Sequence, residues 1–492
     1  MRIALLPPDE RPNTAGYAEW FGRCCGVDVL LPPRHLMPRF REGANTAGLA
    51  VWLREIDRDV DAVVLSLDLL VHGGLIPSRN TPDGILDALP RLEVLRGLTS
   101  PITAYQVVTR LPHYDNNTRS RQEPEYWATH GRRLFELSQA WDNYEHGETD
   151  TDQVSAAREA VPADAVADLV GRRLRNHTIN LTALSLLADG TVATLAITSD
   201  DTAPRGLPAS DRRALDRWNN RLGTHALFYP GADEVPSVLT ARVAAEAQGV
   251  TPRICVRCPE PGGLDRTAPY EDRPLNDGIG NQIRALGAVR VDDPADADVV
   301  LVVYPPSTTP GDWTGEAPEP STPAEREGLV AEVEALLADD RRVALADVRY
   351  ANGSDPLLVD ALDGANLLQR LVSYGGWNTA GNTLGTTLAT AASETIDNSD
   401  EACHEREQFR ANKIIKDGHY LPVLRPRLLH ELRERGLTDP PLEEIPDLER
   451  RVEAELNDWA SGIGALNGWR VRHVRWPWNY LFTVDFDLER IQ

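Results

Sequence analysis

The sequence predicts an α/β protein built mainly on parallel sheets. Short apolar runs rich in β-branched residues alternate with longer amphipathic stretches, which is typical of repeated βα units. The stretches between these runs have the length and spacing of helices. They are Ile85–Leu98, Glu125–Ala140, Val154–Arg175, Asp211–Gly223 and Pro323–Ala338. The predicted strands are Ile3–Leu6, Ala62–Leu67, Ile102–Val108, Val192–Thr198, Ala226–Tyr229, Val299–Tyr304 and Val343–Ala346, with a weaker one at Leu371–Tyr374.

Three domains are expected from the length of 492 residues and from two shifts in composition. Residues 1–249 are expected to form an N-terminal α/β domain of βα repeats that carries the main group of carboxylates, with an incomplete or irregular barrel as one alternative. Residues 250–395 start a new βαβ pattern and are predicted to form a Rossmann-like α/β domain. Residues 396–492 are a helical segment and a C-terminal tail, WRVRHVRWPWNYLFTVDFDL, that alternates like an antiparallel strand pair and should pack on the other domains.

Composition excludes several classes of function. The formal net charge of −24 argues against binding to nucleic acid or to an anionic membrane, because both need a positive field. The N-terminal apolar stretch breaks at Pro7 and Pro8, so it predicts a strand and not a signal peptide, and we expect a cytoplasmic protein. Five cysteines imply no disulfide framework. The spacing of Cys255 and Cys258 is only half of a zinc site, and we expect neither a metal nor a cofactor.

Polar residues collect just after the predicted strands, where parallel α/β sheets bind their ligands. We expect these residues to line one cavity. Each has a structural alternative, because Asp readily makes turns and helix N-caps, buried histidines are often only hydrogen-bonded, and a tryptophan can simply be core. The catalytic candidates are Asp200, Asp201, Asp233 and Glu234, and the substrate-binding candidates are Asp9, Arg11, Asp68, Arg110, Asn352, Trp377 and Asn378.

Several ordered motifs resemble those of a bacterial family filed as domain of unknown function 4127. They include LPPDERP, SLDLLVHGGLIPSR, EPEYW, RRLRNHTINL, ITSDDTAPRG, YPGADEVPSVLTARV, DVRYANGSDP, YGGWNTAGNTLGT and PWNYLF, and they cover nearly the whole chain. The resemblance implies a single-chain protein of this length, without a stated activity. One departure is His72, which stands before Gly73-Gly74 where the pattern leads us to expect an aromatic residue.

Carboxylates, aromatic rings and amides without a nucleotide-binding or nucleophile-elbow motif favour a neutral polyhydroxylated substrate. The predicted function is therefore a glycoside hydrolase acting on a small sugar or amino-sugar glycoside, with Asp201 as general acid and Asp200 orienting the substrate or nucleophile. An adjacent Asp-Asp pair is similar to that of substrate-assisted hexosaminidases. The alternatives are a metal-dependent hydrolase or isomerase, with Asp68, Asp200, Asp233 and Glu234 as ligands, and a non-catalytic carbohydrate-binding protein.

Overall fold

The computed structural model describes residues 1–119 and 121–491. The strands are β1 (Arg2–Leu6), β2 (Asp28–Leu30), β3 (Ala62–Ser66), β4 (Ile102–Val108), β5 (Thr194–Ser199), β6 (Leu227–Pro230), β7 (Arg253–Arg257), β8 (Val289–Val291), β9 (Val299–Tyr304), β10 (Val343–Asp347), β11 (Ser373–Gly375), β12 (Trp469–Arg475) and β13 (Asp485–Arg490).

The α-helices alternate with these strands along most of the chain. They are α1 (Tyr17–Cys24), α2 (Thr46–Ile56), α3 (Leu67–His72), α4 (Pro77–Asn80), α5 (Ile85–Ala88), α6 (Trp127–Glu145), α7 (Thr151–Glu159), α8 (Ala163–Ala188), α9 (Leu207–Leu222), α10 (Val235–Gln248), α11 (Leu275–Ala285), α12 (Pro323–Ala338), α13 (Pro356–Gly364), α14 (Ala380–Ile396), α15 (Asp400–Ile415), α16 (Arg425–Glu434) and α17 (Ile445–Ser461).

The chain divides into two compact units. The first comprises Met1–Glu19, Val27–Val243 and Tyr270–Asp272, and the second comprises Trp20–Gly26, Ala244–Pro269 and Arg273–Gln492.

The first unit is built on a parallel sheet with the strand order β2-β1-β3-β4-β5-β6. Every residue of β3 and β4 is buried, as expected for central strands that helices cover on both faces. Strand β1 lies between β2 and β3. From β1 the chain adds β2 on one side of the sheet, and then crosses back to add β3 and the later strands on the other side. This is the doubly wound arrangement, and its switch point lies between the carboxyl ends of β1 and β3.

The second unit repeats this strand order in a separate parallel sheet. Its order is β8-β7-β9-β10-β11, so the switch point lies between β7 and β9. Strand β9 is fully buried, and its residues Val300, Val302 and Tyr304 belong to a core that also includes residues of the C-terminal helices. Strands β12 and β13 form a small antiparallel sheet in the same unit.

The predicted fold class is confirmed: all eight predicted strands are present in parallel sheets, and the C-terminal tail forms the antiparallel pair. The alternative of an irregular barrel is not adopted. Within the described residues, β2 and β6 each have one strand neighbour, so the sheet is open, and its strands are fewer than the roughly eight that close small barrels.

Two predicted helices are interrupted at prolines. The expected helix 154–175 is divided between α7 and α8, because Pro162 is the extended N-cap residue of α8. The expected helix 85–98 is α-helical only to Ala88 and continues as a 3-10 helix, Leu89–Gly97, in which Pro90 has no backbone N–H to donate. Nowhere in the described chain is a helix long and apolar enough to cross a membrane.

Replacing a fully buried residue of a central strand should destabilise the first unit. Leu65→Ala empties space in the core around β3 and should lower the free energy of unfolding by about 2–5 kcal/mol. Leu86→Ala is the matched control, because Leu86 is 83% exposed, and should change it by less than about 0.5 kcal/mol. Urea unfolding followed by circular dichroism measures both. Equal effects of the two substitutions would contradict the placement of β3.

Candidate functional site

An ion triad, the Arg11 triad, joins the loops after β1 and β6. It consists of Arg11, Asp9 and Asp233, all buried. The guanidinium group of Arg11 donates from Nη2 to Asp9 Oδ2 and to Asp233 Oδ1, each at 2.7 Å, and its Nε and Nη1 donate further bonds to the same two carboxylates. Asp9 also accepts from the Thr14 hydroxyl at 2.7 Å. The triad therefore fixes the carboxyl end of β1 against that of β6.

Asp233 resists ionisation despite its arginine partner. Burial raises the pKa of Asp233, the positive charge of Arg11 opposes this shift, and the negative charges of Asp9 and Asp200 add to it. Because Asp200 acts on Asp233 electrostatically, the ends of β1, β5 and β6 belong to one charged site.

A second group, the Arg79–Arg110 ring, surrounds the ends of β4 and β5. Arg79 is paired with Asp200 and, at 3.4 Å, with Glu123. Arg110 donates to Glu123 at 2.7 Å and to Asp201 at 2.6 Å. Asp200 and Asp201 are adjacent in sequence, so these ion pairs close a ring. Each arginine is held by two carboxylates, which fixes the side chains of both aspartates.

Asp201 is the member of the ring with the most accessible carboxylate. Its side chain is 24% exposed, against 12% for Asp200 and 3% for Glu123. The backbone of Asp201 is left-handed, with φ of 38°, which is uncommon for a residue with a Cβ. Surrounding protein atoms keep water from the carboxylate, and this desolvation together with the charge of Asp200 raises the pKa of Asp201 to about 6. The positive charge of Arg110 opposes the shift. The Asp201 side chain is thus partly accessible to solvent, and its carboxyl retains a proton close to neutral pH.

Asp68 lies beneath this group, on the first turn of α3. It is 5% exposed, and its Oδ2 accepts from the backbone N–H of Val107 in β4 at 2.9 Å. Burial raises the pKa of Asp68 to about 7, against the lowering effect of Arg79, and Asp200 raises it further. Asp68 is therefore another carboxyl group that couples to Asp200, but it faces the protein interior.

Two other residues singled out from the sequence are buried: Glu234 holds the backbone of its own loop, and His72 lies at the end of α3. Glu234 is fully buried, and its Oε2 accepts from the N–H of Ala232 at 3.0 Å, within the loop that precedes α10. His72 ends α3 and is 4% exposed, and burial, helped by nearby Arg175 and Arg91, keeps its pKa well below the usual value. The imidazole is thus neutral at physiological pH.

Asn352 and Asn378 lie together in the second unit. Both have left-handed backbones, with φ of 62° and 57°, and the N–H of Asn352 donates to the carbonyl oxygen of Asn378 at 2.7 Å. The side chain of Asn352 donates to Asp312 Oδ1 at 3.0 Å, and Arg425 donates to its carbonyl oxygen. These contacts connect the loops after β10 and β11.

Trp377 is 1% exposed and packs in the same unit against the two lysines of the chain. The ammonium groups of Lys416 and Lys413 lie 4.8 Å and 6.0 Å from its ring centroid. Lys413 pairs with Asp417 at 2.5 Å, and burial lowers the pKa of Lys413. The polar sequence around these lysines gave no sign that both are buried.

The structure thus brings together seven of the predicted site residues in the first unit, through the triad, the ring and Asp68. They are Asp9, Arg11, Asp68, Arg110, Asp200, Asp201 and Asp233. A single cavity shared with Glu234, Asn352 and Asn378 stays a prediction. Sequence reasoning missed Arg79 and Glu123, although both lie in the motifs SLDLLVHGGLIPSR and EPEYW that carry the family resemblance.

A cavity of about 40 Å³ lies beside the ring, lined by Arg79, Arg110, Glu123, Trp127 and Asn176 among others. This volume holds a few water molecules but not a sugar ring, and Asp201 is not among the residues that line it. In the part of the chain that the structure describes, no group of three or more His, Cys, Asp or Glu side chains is placed to hold a metal ion.

The two open sheets and the polar groups at their carboxyl ends define a doubly wound α/β protein with a site of paired arginines and carboxylates. The chain belongs to the family described as Protein of unknown function (DUF4127), whose model matches residues 3–487. The resemblance seen in the sequence is thereby confirmed. No curated protein and no solved structure matches the chain.

Removing the guanidinium group of the Arg11 triad should destabilise the protein in a pH-dependent way. Arg11→Met leaves Asp9 and Asp233 buried without a counter-charge, which should cost about 3–5 kcal/mol of unfolding free energy at pH 7. Without Arg11 the pKa of Asp233, which burial already raises above its ordinary value, rises further because the opposing positive charge is gone. A raised carboxyl pKa favours the folded state at low pH, so the loss should be smaller at pH 5 than at pH 7.

Chemical denaturation at both pH values measures this effect. Arg2→Met is the control, because Arg2 pairs with Asp28 at the surface, where both side chains are about half exposed, and it should change stability by less than about 1 kcal/mol. A loss for Arg11→Met that is equal at pH 5 and pH 7 would contradict the triad as an electrostatic unit.

Proposed function

We propose that the protein is a glycoside hydrolase in which Asp201 is the general acid. The observation that carries this proposal is the state of Asp201: its carboxyl is partly exposed, is held by Arg110, and has a pKa raised to about 6. Cleavage of a glycosidic bond needs a carboxylic acid that still carries a proton near neutral pH. A group with a pKa of about 6 is roughly one-tenth protonated at pH 7, which is sufficient for general acid catalysis.

Asp200 is the second carboxylate of the proposal. It is partly exposed beside Asp201, and its ion pair with Arg79 holds one oxygen in a fixed direction. Such a carboxylate can orient a substrate amide or hydroxyl group, or stabilise the positive charge that develops at the anomeric carbon. Asp233 is the competing candidate, but both of its oxygens accept from Arg11. Glu234 is a weaker candidate because it binds the backbone of its own loop.

The pairing of carboxylates with arginines favours acid-base chemistry over the metal-dependent alternative. Asp200, Asp201 and Asp233 each contact a guanidinium group, and a cation bound there would have to displace or face that positive charge. The same arginines and carboxylates supply donors and acceptors for sugar hydroxyls. A neutral polyhydroxylated substrate is therefore the class that this set of groups suits.

Asp201→Asn should preserve folding and lower kcat by roughly two to four orders of magnitude on a substrate whose leaving group needs protonation. The measurement is aryl release from a panel of phenyl glycosides, because phenoxide is a poor leaving group that needs protonation. On dinitrophenyl glycosides, whose leaving group departs as a stable anion, the variant should recover most of the lost rate. Asp189→Asn is the matched control, since Asp189 is a surface aspartate that pairs with Arg96, and it should keep the wild-type rate.

The pH profile gives a second readout of the same role. A general acid must be protonated, so kcat/KM of the wild type should fall as the pH rises above about 6, in line with the raised pKa of Asp201. That limb should vanish in Asp201→Asn. Near-normal turnover of the variant on the poorer leaving groups would remove Asp201 from the role, and absence of aryl release by the wild type across the panel would refute the proposed function.

A further inference from the structure

The second unit contains a cavity that the proposed glycosidase site does not use. Its volume is about 610 Å³, within the range of small-molecule sites. It is lined by the end of β7, by the loop that follows it, by Asn276 on α11 and by Glu332 on α12.

This position is the switch point of the second sheet. Helix α11 leads from β7 to β8, whereas α12 leads from β9 to β10 on the other side of the sheet order. Because parallel crossovers are right-handed, two connections that leave in opposite directions lie on opposite faces of the sheet, and a crevice opens between them. The same strand order in the first unit puts Asp9 and Asp68 at the equivalent place. The cavity is therefore where this architecture positions a ligand.

The loop after β7 is shaped to border the cavity closely. Gly262 is left-handed, with φ of 70°, and a Cβ on Gly263 would lie 2.5 Å from Pro305 and 3.0 Å from Cys258 Sγ. The glycines thus let the backbone turn tightly against the end of β9. Pro259, Pro261 and Leu264 give the same wall an apolar surface.

The polar side chains that line the cavity are mainly carboxylates, which accept hydrogen bonds. Arginine partners balance the negative charge of two of them. Glu260 is held by Arg266 at 2.5 Å and by the buried Arg349 at 3.0 Å. Glu332 is paired with Arg257 at 3.2 Å. Asp265 is the exposed carboxylate at the rim. Ionised carboxylates accept hydrogen bonds and donate none, so the lining selects a ligand that donates.

We propose that this cavity binds a neutral small molecule of nucleoside or disaccharide size through a vicinal pair of hydroxyl groups. In dinucleotide-binding doubly wound folds a carboxylate accepts a hydrogen bond from a ribose hydroxyl, and the carboxylates of this cavity can accept from hydroxyls in the same way. A phosphate or carboxylate ligand is disfavoured because Arg257 already pairs with Glu332 and the remaining carboxylates would repel it. A strongly cationic ligand is disfavoured because arginines already balance Glu260 and Glu332. The apolar wall suits the face of a base or of a pyranose ring.

Isothermal titration calorimetry with the full-length protein tests this site independently of any glycosidase activity. The probes are adenosine, 2′,3′-dideoxyadenosine, AMP and maltose, each up to ~10 mM so that weak binding with a Kd near 1 mM is visible. We expect adenosine or maltose to bind, and which of the two binds identifies the source of the hydroxyl pair. If adenosine binds, dideoxyadenosine and AMP should each bind at least about tenfold more weakly, since a lost or repelled polar contact costs at least about 1.4 kcal/mol.

Two variants place the binding in this cavity. Asp265→Asn and Glu332→Gln should each weaken binding by about tenfold. The matched controls are Asp277→Asn and Glu334→Gln, exposed residues of α11 and α12 that do not line the cavity, and these should bind as the wild type does. The proposal is overturned if neither adenosine nor maltose binds, if dideoxyadenosine binds as tightly as adenosine, or if the cavity variants bind as well as their controls.

Discussion

Pairing of buried carboxylates with arginine is the interaction on which the first unit depends. Parallel strands bring their carboxyl ends to one edge, so the aspartates that follow β1, β5 and β6 are forced together. Buried charges of one sign are unstable unless they are paired or protonated. Arg11, Arg79 and Arg110 supply the pairing, and each holds two carboxylates. The loops at this edge are thereby fixed by charge and not by apolar packing alone.

The arginines do not fully offset the effects of burial and of neighbouring carboxylates, so two carboxyl groups keep raised pKa values. Burial and neighbouring charge keep the pKa of Asp68 near 7 and that of Asp201 near 6. Of these two groups, Asp68 faces the interior while Asp201 is partly exposed. Both carboxyl groups have raised pKa values, but they differ in position. Asp68 is buried and contacts the backbone of β4, whereas Asp201 is partly accessible to solvent and is suited to proton transfer. The proposed function rests on the second of these.

The sequence was enough to predict the site residues that directly follow a strand. It did not predict the site residues that lie in helices or in the longer segments between strands and helices. Asp200, Asp201 and Arg110 follow predicted strands directly, so the geometry of a parallel sheet was enough to group them. Arg79 and Glu123 come from α4 and from the segment between β4 and α6, and no periodicity relates either of them to Asp200. The sequence also did not predict the direction of each side chain. Asp233 and Glu234 are adjacent, yet Asp233 accepts hydrogen bonds from Arg11 and Glu234 accepts one from the backbone of its own loop. Two predicted helices were interrupted at Pro90 and Pro162, because the apolar periodicity continues past each proline while the backbone cannot form an uninterrupted α-helix there.

The most direct measurement is the pH titration of the Asp201 side-chain carboxyl by ¹³C NMR, in the wild-type protein and in Asp200→Asn. The account predicts a pKa of about 6 in the wild type. It predicts a lower pKa in the variant, because removal of the adjacent negative charge makes ionisation of Asp201 easier. A wild-type pKa at or below the ordinary value for aspartate, or a value that does not respond to Asp200→Asn, would contradict the coupled carboxylate site.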